Sequence, residues 1–424
     1  MIENKSFQYF IVVVLFITVN LISFFTQQRI NVNDGKGWDG VEYFEIAKKF
    51  SEGENLTGSA PLVYRVGTPF LASLIDKNDL LNGFFIANLA ANFLSLLLIF
   101  AYLKIYLKNF YVITALLIFY LFHWMCNTRF IYYYPSITDP WGLTFLLSGL
   151  ILIEKYRRNK TNVNIFFLCL VSFMGVLFRE FVLIIPIALL FVNNPFDKRN
   201  LFFINLRKLF FEDKIKFLPL AASAVGVLVT RLVAENTGTD YSFLKTVIYF
   251  IYNKSLAQYI HAWFFAVGPA IALLVYFYKD VFRFAFENQY TLILLAGAFV
   301  LSFTGGSDTG RLILWFIPLI LLLEGKVIEE NIRIFKKPFL ILCIIVLQIF
   351  SMKALITIPQ PIINPDIASP PSITQMKDVD LSNLITSVRN LDPLLLSFLK
   401  YFFAAGFLLL MLRYYCWKQR KVVN

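Results

Sequence analysis

Apolar stretches recur along the whole chain, separated by short breaks that are polar, basic or rich in Gly and Pro. Twelve can be drawn, over 8–26, 83–103, 110–127, 139–154, 164–178, 181–193, 217–234, 259–278, 291–304, 311–325, 338–356 and 394–412. Stretches of this length and polarity predict helices that cross a bilayer. The fold class expected is therefore an all-α polytopic membrane protein, a bundle of about twelve transmembrane helices forming one membrane domain over 1–424. The breaks are informative too. A first loop over 27–81 holds the polar stretch Asn33 to Ile75, in which Asp39, Glu42 and Glu45 follow directly on Gly37-Trp38. Spacing of i, i+3, i+6 on a helix beginning near Trp38 predicts three carboxylates roughly on one face. A second amphipathic piece, Pro61 to Ile75, carries Arg65. Both read as short helices lying at a membrane surface.

One stretch needs an argument of its own. Asn164 to Asn193 would make a single helix of about 45 Å with Arg179-Glu180 at its middle. That helix would leave two charges at the bilayer centre, at a cost of several kcal/mol. Two short helices meeting at Arg179-Glu180 avoid the cost, so a hairpin is expected. The segment 194–216, rich in Phe and Lys, reads as an inner amphipathic helix, and 357–392 as a Pro-rich outer loop docked on the membrane domain.

Composition narrows the class further. The chain is 58% hydrophobic and 16% charged, with a mean hydropathy of +0.67, which excludes an ordinary soluble globular protein. The net charge of +12 does not point to nucleic acid, because the Lys and Arg residues sit at the ends of apolar stretches. With both termini cytoplasmic, the basic clusters from Lys104 to Lys421 fall on the inner side. The expected location is the plasma (inner) membrane. The first apolar run, Phe7 to Phe25, lacks a small-residue cleavage signal and reads as a retained anchor. Cys126, Cys169, Cys343 and Cys416 are scattered, and His123 and His261 are isolated. No disulfide framework or metal site is indicated, and Asn55-Leu56-Thr57 is a chance sequon.

On this topology the chemistry-bearing residues share the outer side. They are Asp39, Glu42 and Arg65, then Tyr132, Tyr133 and Tyr134 with Thr138-Asp139-Pro140, then Arg179-Glu180, and finally Gly305-Gly306-Ser307-Asp308-Thr309-Gly310-Arg311. Carboxylates and guanidiniums among aromatics at one interface suit an anionic, membrane-embedded substrate, and the Arg fork suits phosphate. Each has a plainer alternative. Asp39 and Asp139 could cap the helices that follow, and the tyrosines could form an interfacial belt. Arg179-Glu180 could be an ion pair fixing a hairpin, and Asp308 with Arg311 an i, i+3 pair. Gly305-Gly306 reads as a turn, since the Lys of a phosphate-binding loop is missing.

Trp38-Asp39-Gly40, followed by Tyr43 and Ile46-Ala47, resembles the opening motif of the GT-C superfamily of polytopic glycosyltransferases. It is most similar to the branch containing GPI mannosyltransferase II-like and bacterial dolichyl-phosphate-mannose-type enzymes. Thr138-Asp139-Pro140, Arg179-Glu180 and Ser307-Asp308-Thr309 with Arg311 resemble patterns of bacterial members, so the likeness spans roughly 30–320. Many members carry Asp-x-Asp or Asp-Glu; here Asp39 is followed by Glu42 three places on. The resemblance implies a GT-C-like bundle that transfers sugar from a polyprenyl-phosphate donor to a lipid, glycan or protein acceptor at the outer face. Asp39 would be the general base, with Glu42 as the second acid. Arg65, Arg179 and Arg311 would face the lipid phosphate, with Tyr133, Asp139, Glu180 and Asp308 completing the substrate site. No cofactor is implied; a divalent metal is compatible with the scheme without being required. A transporter or flippase of lipid-linked saccharides would place charged or broken segments at the midplane with repeat symmetry, and neither is evident. A polymerase or ligase would gather Arg residues in one late loop, where 357–392 offers Arg389 and Lys377. A non-enzymatic scaffold is the remaining alternative.

Overall fold

Each apolar stretch becomes helix, but many of the helices are short. A computed structural model describes residues 4–196, 204–238, 242–254, 256–305, 309–353, 356–358, 360 and 393–423. The first elements are α1 (Lys5–Thr26), α2 (Gly40–Glu52), strand β1 (Leu56–Gly58), α3 (Gly67–Ile75), α4 (Leu80–Tyr106), α5 (Phe110–Phe122), α6 (Asn127–Tyr133), α7 (Asp139–Arg158), α8 (Asn162–Phe178) and α9 (Ile184–Leu190). Then come α10 (Leu218–Val233), strand β2 (Ala234–Asn236), α11 (Phe243–Asn253), α12 (Leu256–Val267), α13 (Ile271–Tyr276), α14 (Tyr278–Glu287) and α15 (Gln289–Thr304). The last are α16 (Thr309–Leu314), α17 (Ile317–Glu330), α18 (Ile332–Phe335), α19 (Pro338–Met352) and α20 (Pro393–Val423).

The count of spans corrects the expectation of about twelve. Among the described residues five helical stretches are long and apolar enough to cross a membrane: Lys5–Thr26, Leu80–Tyr106, Phe110–Tyr133, Lys214–Val233 and Leu399–Gln419. A sixth arises if α14 and α15, bent by 120° at their junction, are one broken span. This fits a helical membrane protein with fewer spans. The reason lies in the backbone rather than in hydropathy. The run 259–278 is cut at Gly268, whose φ of +75° ends α12 before Pro269. The run 311–325 is split at Trp315-Phe316 between α16 and α17. α7 has the length but carries Glu154, Lys155, Arg157 and Arg158 in its last turns.

Contacts divide the chain into two units. The first comprises Met1–Ile105, Asn127–Phe243 and Arg283–Gly297; the second comprises Tyr106–Cys126, Leu244–Phe282 and Ala298–Asn424. In the first, the loop after α1 has a small core of its own. Tyr43, Ile46, Ala47, Leu56, Val63, Ala72, Leu80, Phe84 and Ala234 pack together. α2 supplies Gly40, Tyr43, Ile46 and Ala47 at helical spacing, so the polar stretch folds because one face is apolar. Gly53, with φ of +73°, stops α2. β1 pairs in parallel with β2, Leu56 opposite Ala234 and Gly58 opposite Asn236. Asp76 accepts bonds from the Asn82 side chain and from the Asp79 and Asn78 backbone amides, which hold its carboxyl below the usual range and start α4.

The break expected at Arg179 is present: α8 ends at Phe178, Arg179 is extended, and a 3-10 turn over Glu180–Leu183 leads into α9. The chain doubles back there, because Lys160 before α8 donates to Asn193 beyond α9 at 3.2 Å. The amphipathic helix expected over 194–216 is a correction. Its described part holds an antiparallel bridge between Phe196 and Ile204, a π turn at Arg207–Phe211 and a 3-10 turn at Lys214–Phe217. Lys216 instead buries its amine against the Leu190 carbonyl at the end of α9, where a cation is favoured. Residues 361–392 of the Pro-rich loop lie outside the described residues.

In the second unit Ala272, Leu273, Phe277, Val327, Leu340, Ile344, Leu408 and Leu412 build a core from α13, α17, α19 and α20.

Candidate active site

Three pieces of chain far apart in sequence meet in the first unit: the loop around Trp38–Gly67, the connection Tyr134–Asp139, and Arg179-Glu180. The first contact is set by glycine. Gly37 has φ of +72°, and a Cβ there or on Gly40 would strike the Tyr134 ring; on Gly40 it would also strike Ser136 Oγ. The Gly40 amide donates to Tyr134 Oη at 2.7 Å, and Ser136 donates to the Lys36 carbonyl at 2.7 Å. Trp38 meets Tyr134 edge to face at 5.9 Å. Trp38-Asp39-Gly40 is therefore seated on the segment that leads to Asp139.

Arg179 and Glu180 bridge the other two contacts. Arg179 ends α8 with φ of −157° and ψ of 129°, and in extended chain successive side chains point to opposite sides. The two do not pair with each other, which corrects the reading of a self-contained ion pair. Arg179 Nη2 donates to Asp139 Oδ1 at 2.8 Å, with both side chains almost fully buried. Glu180 faces the first loop, where Arg65 Nε donates to its two carboxylate oxygens at 3.1 and 3.0 Å. Arg65 Nη1 donates to Tyr43 Oη at 2.7 Å. Gly67 and Gly142 make room for this junction, the first lying against the Phe178 ring and the second against Arg179 and Phe181.

The remaining expected residues divide clearly. Asp39 precedes α2 and is half-buried, and its side chain does not cap the helix, so the capping reading fails. Asp139 is likewise no cap. It opens α7, with Pro140 in the first turn, at the helix end where a carboxylate is favoured. Glu42 accepts from the Ser59 amide and lies over Gly58, so it holds the turn after β1. Glu45 is exposed. The tyrosines are no interfacial belt: Tyr133 and Tyr134 are fully buried, and Tyr132 donates to Asn20 at 3.0 Å. Tyr133 Oη has no hydrogen-bond partner among the described residues; nor do Thr138 Oγ1, Trp141 Nε1 or either polar atom of the Asn92 side chain. Arg311 stands half-buried on α16 of the second unit, and Asp308 lies outside the described residues.

The electrostatics follow from this arrangement. Burial alone would lower the Arg65 pKa. The Glu180 carboxylate, the Tyr43 hydroxyl and the Asp39 carboxylate outweigh it and hold the guanidinium above its ordinary value. Asp39 is thus within electrostatic reach of Arg65. With Nε and Nη1 engaged, Arg65 Nη2 makes no hydrogen bond to the described residues. Among the described residues no group of three or more His, Cys, Asp or Glu side chains is placed to hold a metal ion.

No known family, curated protein or solved structure matches this chain.

Sequence reasoning missed Ser136 as a shaper of the site; it counted Tyr134 among the outer-side residues and gave Tyr43 a place only in the motif. Tyr43 had a signal, four residues after Asp39 and so on the same helix face. Ser136 had none, and the contact Tyr134 makes was not readable either, since their partners are backbone groups about a hundred residues away.

Proposed function

We propose that this chain is a membrane glycosyltransferase that moves a sugar from a polyprenyl-phosphate carrier to an acceptor hydroxyl, with inversion. The site faces outward from the plasma membrane and both termini are cytoplasmic. The observation that supports this reading best is that Asp39 lies within electrostatic reach of Arg65, whose guanidinium is held by Glu180 and Tyr43, next to the Arg179–Asp139 pair. Asp39 accepts the proton of the acceptor hydroxyl, whose oxygen attacks the anomeric carbon. The bond from that carbon to the phosphate oxygen breaks, and the electron pair leaves with the polyprenyl phosphate. Arg65 meets the charge that develops there, Nη2 being the donor it has left to offer. Asp139 neutralises Arg179, so Arg179 serves to hold Glu180 and hence Arg65. A lipid-borne donor fits an outward site, because no pool of nucleotide sugars exists outside the cell.

The test is to incubate purified protein with radiolabelled polyprenyl-phosphate sugars and follow their consumption. Asp39→Asn is expected to lose at least about a hundredfold in turnover with unchanged thermal stability. Normal turnover in that variant removes Asp39 as base. Arg65→Lys keeps a charge and loses the fork, so KM for the donor should rise about tenfold. A cysteine replacing exposed Glu45 should be labelled from outside, and labelling only from the cytoplasmic side discards the orientation.

A further inference from the structure

The second unit contains a buried carboxylate that the proposed reaction does not use. Glu324 lies on α17, is 4% exposed, and its Oε1 has no hydrogen-bond partner among the described residues. It opens onto a cavity of about 20 Å³ lined by Phe119, Tyr120, His123, Gln348 and the apolar side chains of Val267 and Leu321, among others. A void of this size takes one water-sized guest. No Lys or Arg is among the lining residues. His123 supplies no counter-charge: its Nδ1 accepts from the Met125 amide at 3.0 Å, and its Nε2 meets the Phe265 carbonyl at 2.9 Å. The charged neighbours on α17 are committed elsewhere. Lys326 pairs with Glu330 at 3.4 Å, and Glu329 accepts from the Lys108 and Asn109 amides.

A carboxylate buried among apolar walls without a cation is strongly disfavoured, so it either keeps a proton or takes a positive guest. The neutral oxygens beside it favour a guest. Gln348 donates through Nε2 to the Val267 carbonyl at 2.6 Å and accepts the Ala270 amide at 3.2 Å through Oε1. That fixes the orientation of the amide and leaves one lone pair on Oε1. The Tyr120 hydroxyl is a second oxygen on the same wall. We infer that this cavity is a site for one small monovalent cation, with the Glu324 carboxylate as the charged ligand and Gln348 and Tyr120 as neutral oxygen donors. Na⁺ and Li⁺ have the size and charge the site accepts. The inference is independent of the proposed glycosyl transfer.

The experiment is a thermal-unfolding titration of the full-length protein in detergent from pH 5.5 to 9. NaCl or LiCl is exchanged for choline chloride at constant ionic strength. A saturable rise in Tm of about 2 °C is expected at tenfold saturation. Half-saturation should move to higher Na⁺ as the pH falls, because protons compete for the carboxylate. Glu324→Gln should lose both responses, and Tyr120→Phe should weaken Na⁺ severalfold while leaving the fold intact. A pH response confined to chains with Glu324, with no response to Na⁺ or Li⁺, means that the carboxyl keeps its proton and overturns the inference. Equal Tm values in all three salts at every pH, matched by Glu324→Gln, overturn the inference. If Glu324→Gln does not fold, an unchanged Na⁺ response in Tyr120→Phe overturns it equally.

Discussion

The two units bury charge in opposite ways. In the first, Arg179 meets Asp139, Arg65 meets Glu180, and Glu154 is bonded by Arg157 at 3.0 Å and by Tyr290 at 2.7 Å. In the second, Glu324 is enclosed with neutral neighbours. A matched pair in a poorly solvated place costs desolvation that good geometry returns, and its use is to fix side chains in one arrangement. A lone carboxylate has no such return and is tolerated where something mobile can supply the positive charge. The contrast separates a preformed site, whose charges are already satisfied by protein, from one that is completed by its guest.

Removing one partner of a matched pair should do the most damage. Arg179→Ala removes the bond to the buried Asp139 carboxylate and is expected to cost about 3–5 kcal/mol, read from urea unfolding in detergent. Arg179→Met combined with Asp139→Asn should recover most of that loss; a double variant no better than the single one would show that the pair does more than neutralise charge. Arg65→Ala should cost less, about 1–2 kcal/mol, because Glu180 is 39% exposed and water screens what remains. Glu42→Ala, which frees the Ser59 amide, should cost about 1 kcal/mol; a much larger loss would place Glu42 in a role beyond holding that turn. Glu324→Leu should sit at the other end of the scale, within about 1 kcal/mol of the parent or above it when Na⁺ is absent. A loss there as large as that of Arg179→Ala would erase the distinction between the units.

Helix positions were readable in the chain wherever an apolar stripe was bounded by its own stop signals. α2 ends at Gly53, α7 begins at Asp139-Pro140, and α8 breaks at Arg179, all from residues visible in place. The number of spans was not readable, because hydropathy does not register a backbone turn inside an apolar run such as the one at Gly268. The gathering of Asp39, Arg65, Asp139, Arg179 and Glu180 into one unit followed from their expected position at helix ends. Their pairing did not, since it depends on the extended backbone of Arg179, which sends two neighbours to different partners. The bond from the Ser59 amide to Glu42 was not readable either, because the turn that presents Ser59 follows a strand that pairs with residues 234–236. Glu324 carried a signal that was passed over, a single acid at the end of the apolar run Ile317–Leu323.

The short ladder between β1 and β2 has a mechanical result. α10 runs without a gap into β2, Asn236 holds the Ala60 amide at 3.0 Å, and the Arg231 guanidinium lies 4.6 Å over the Tyr64 ring, next to Arg65. The segment presenting Arg65 is thereby moored to the tip of a membrane-length rod. Any sliding of α10 along its own axis is handed on, through three paired residues, to the Arg65 guanidinium.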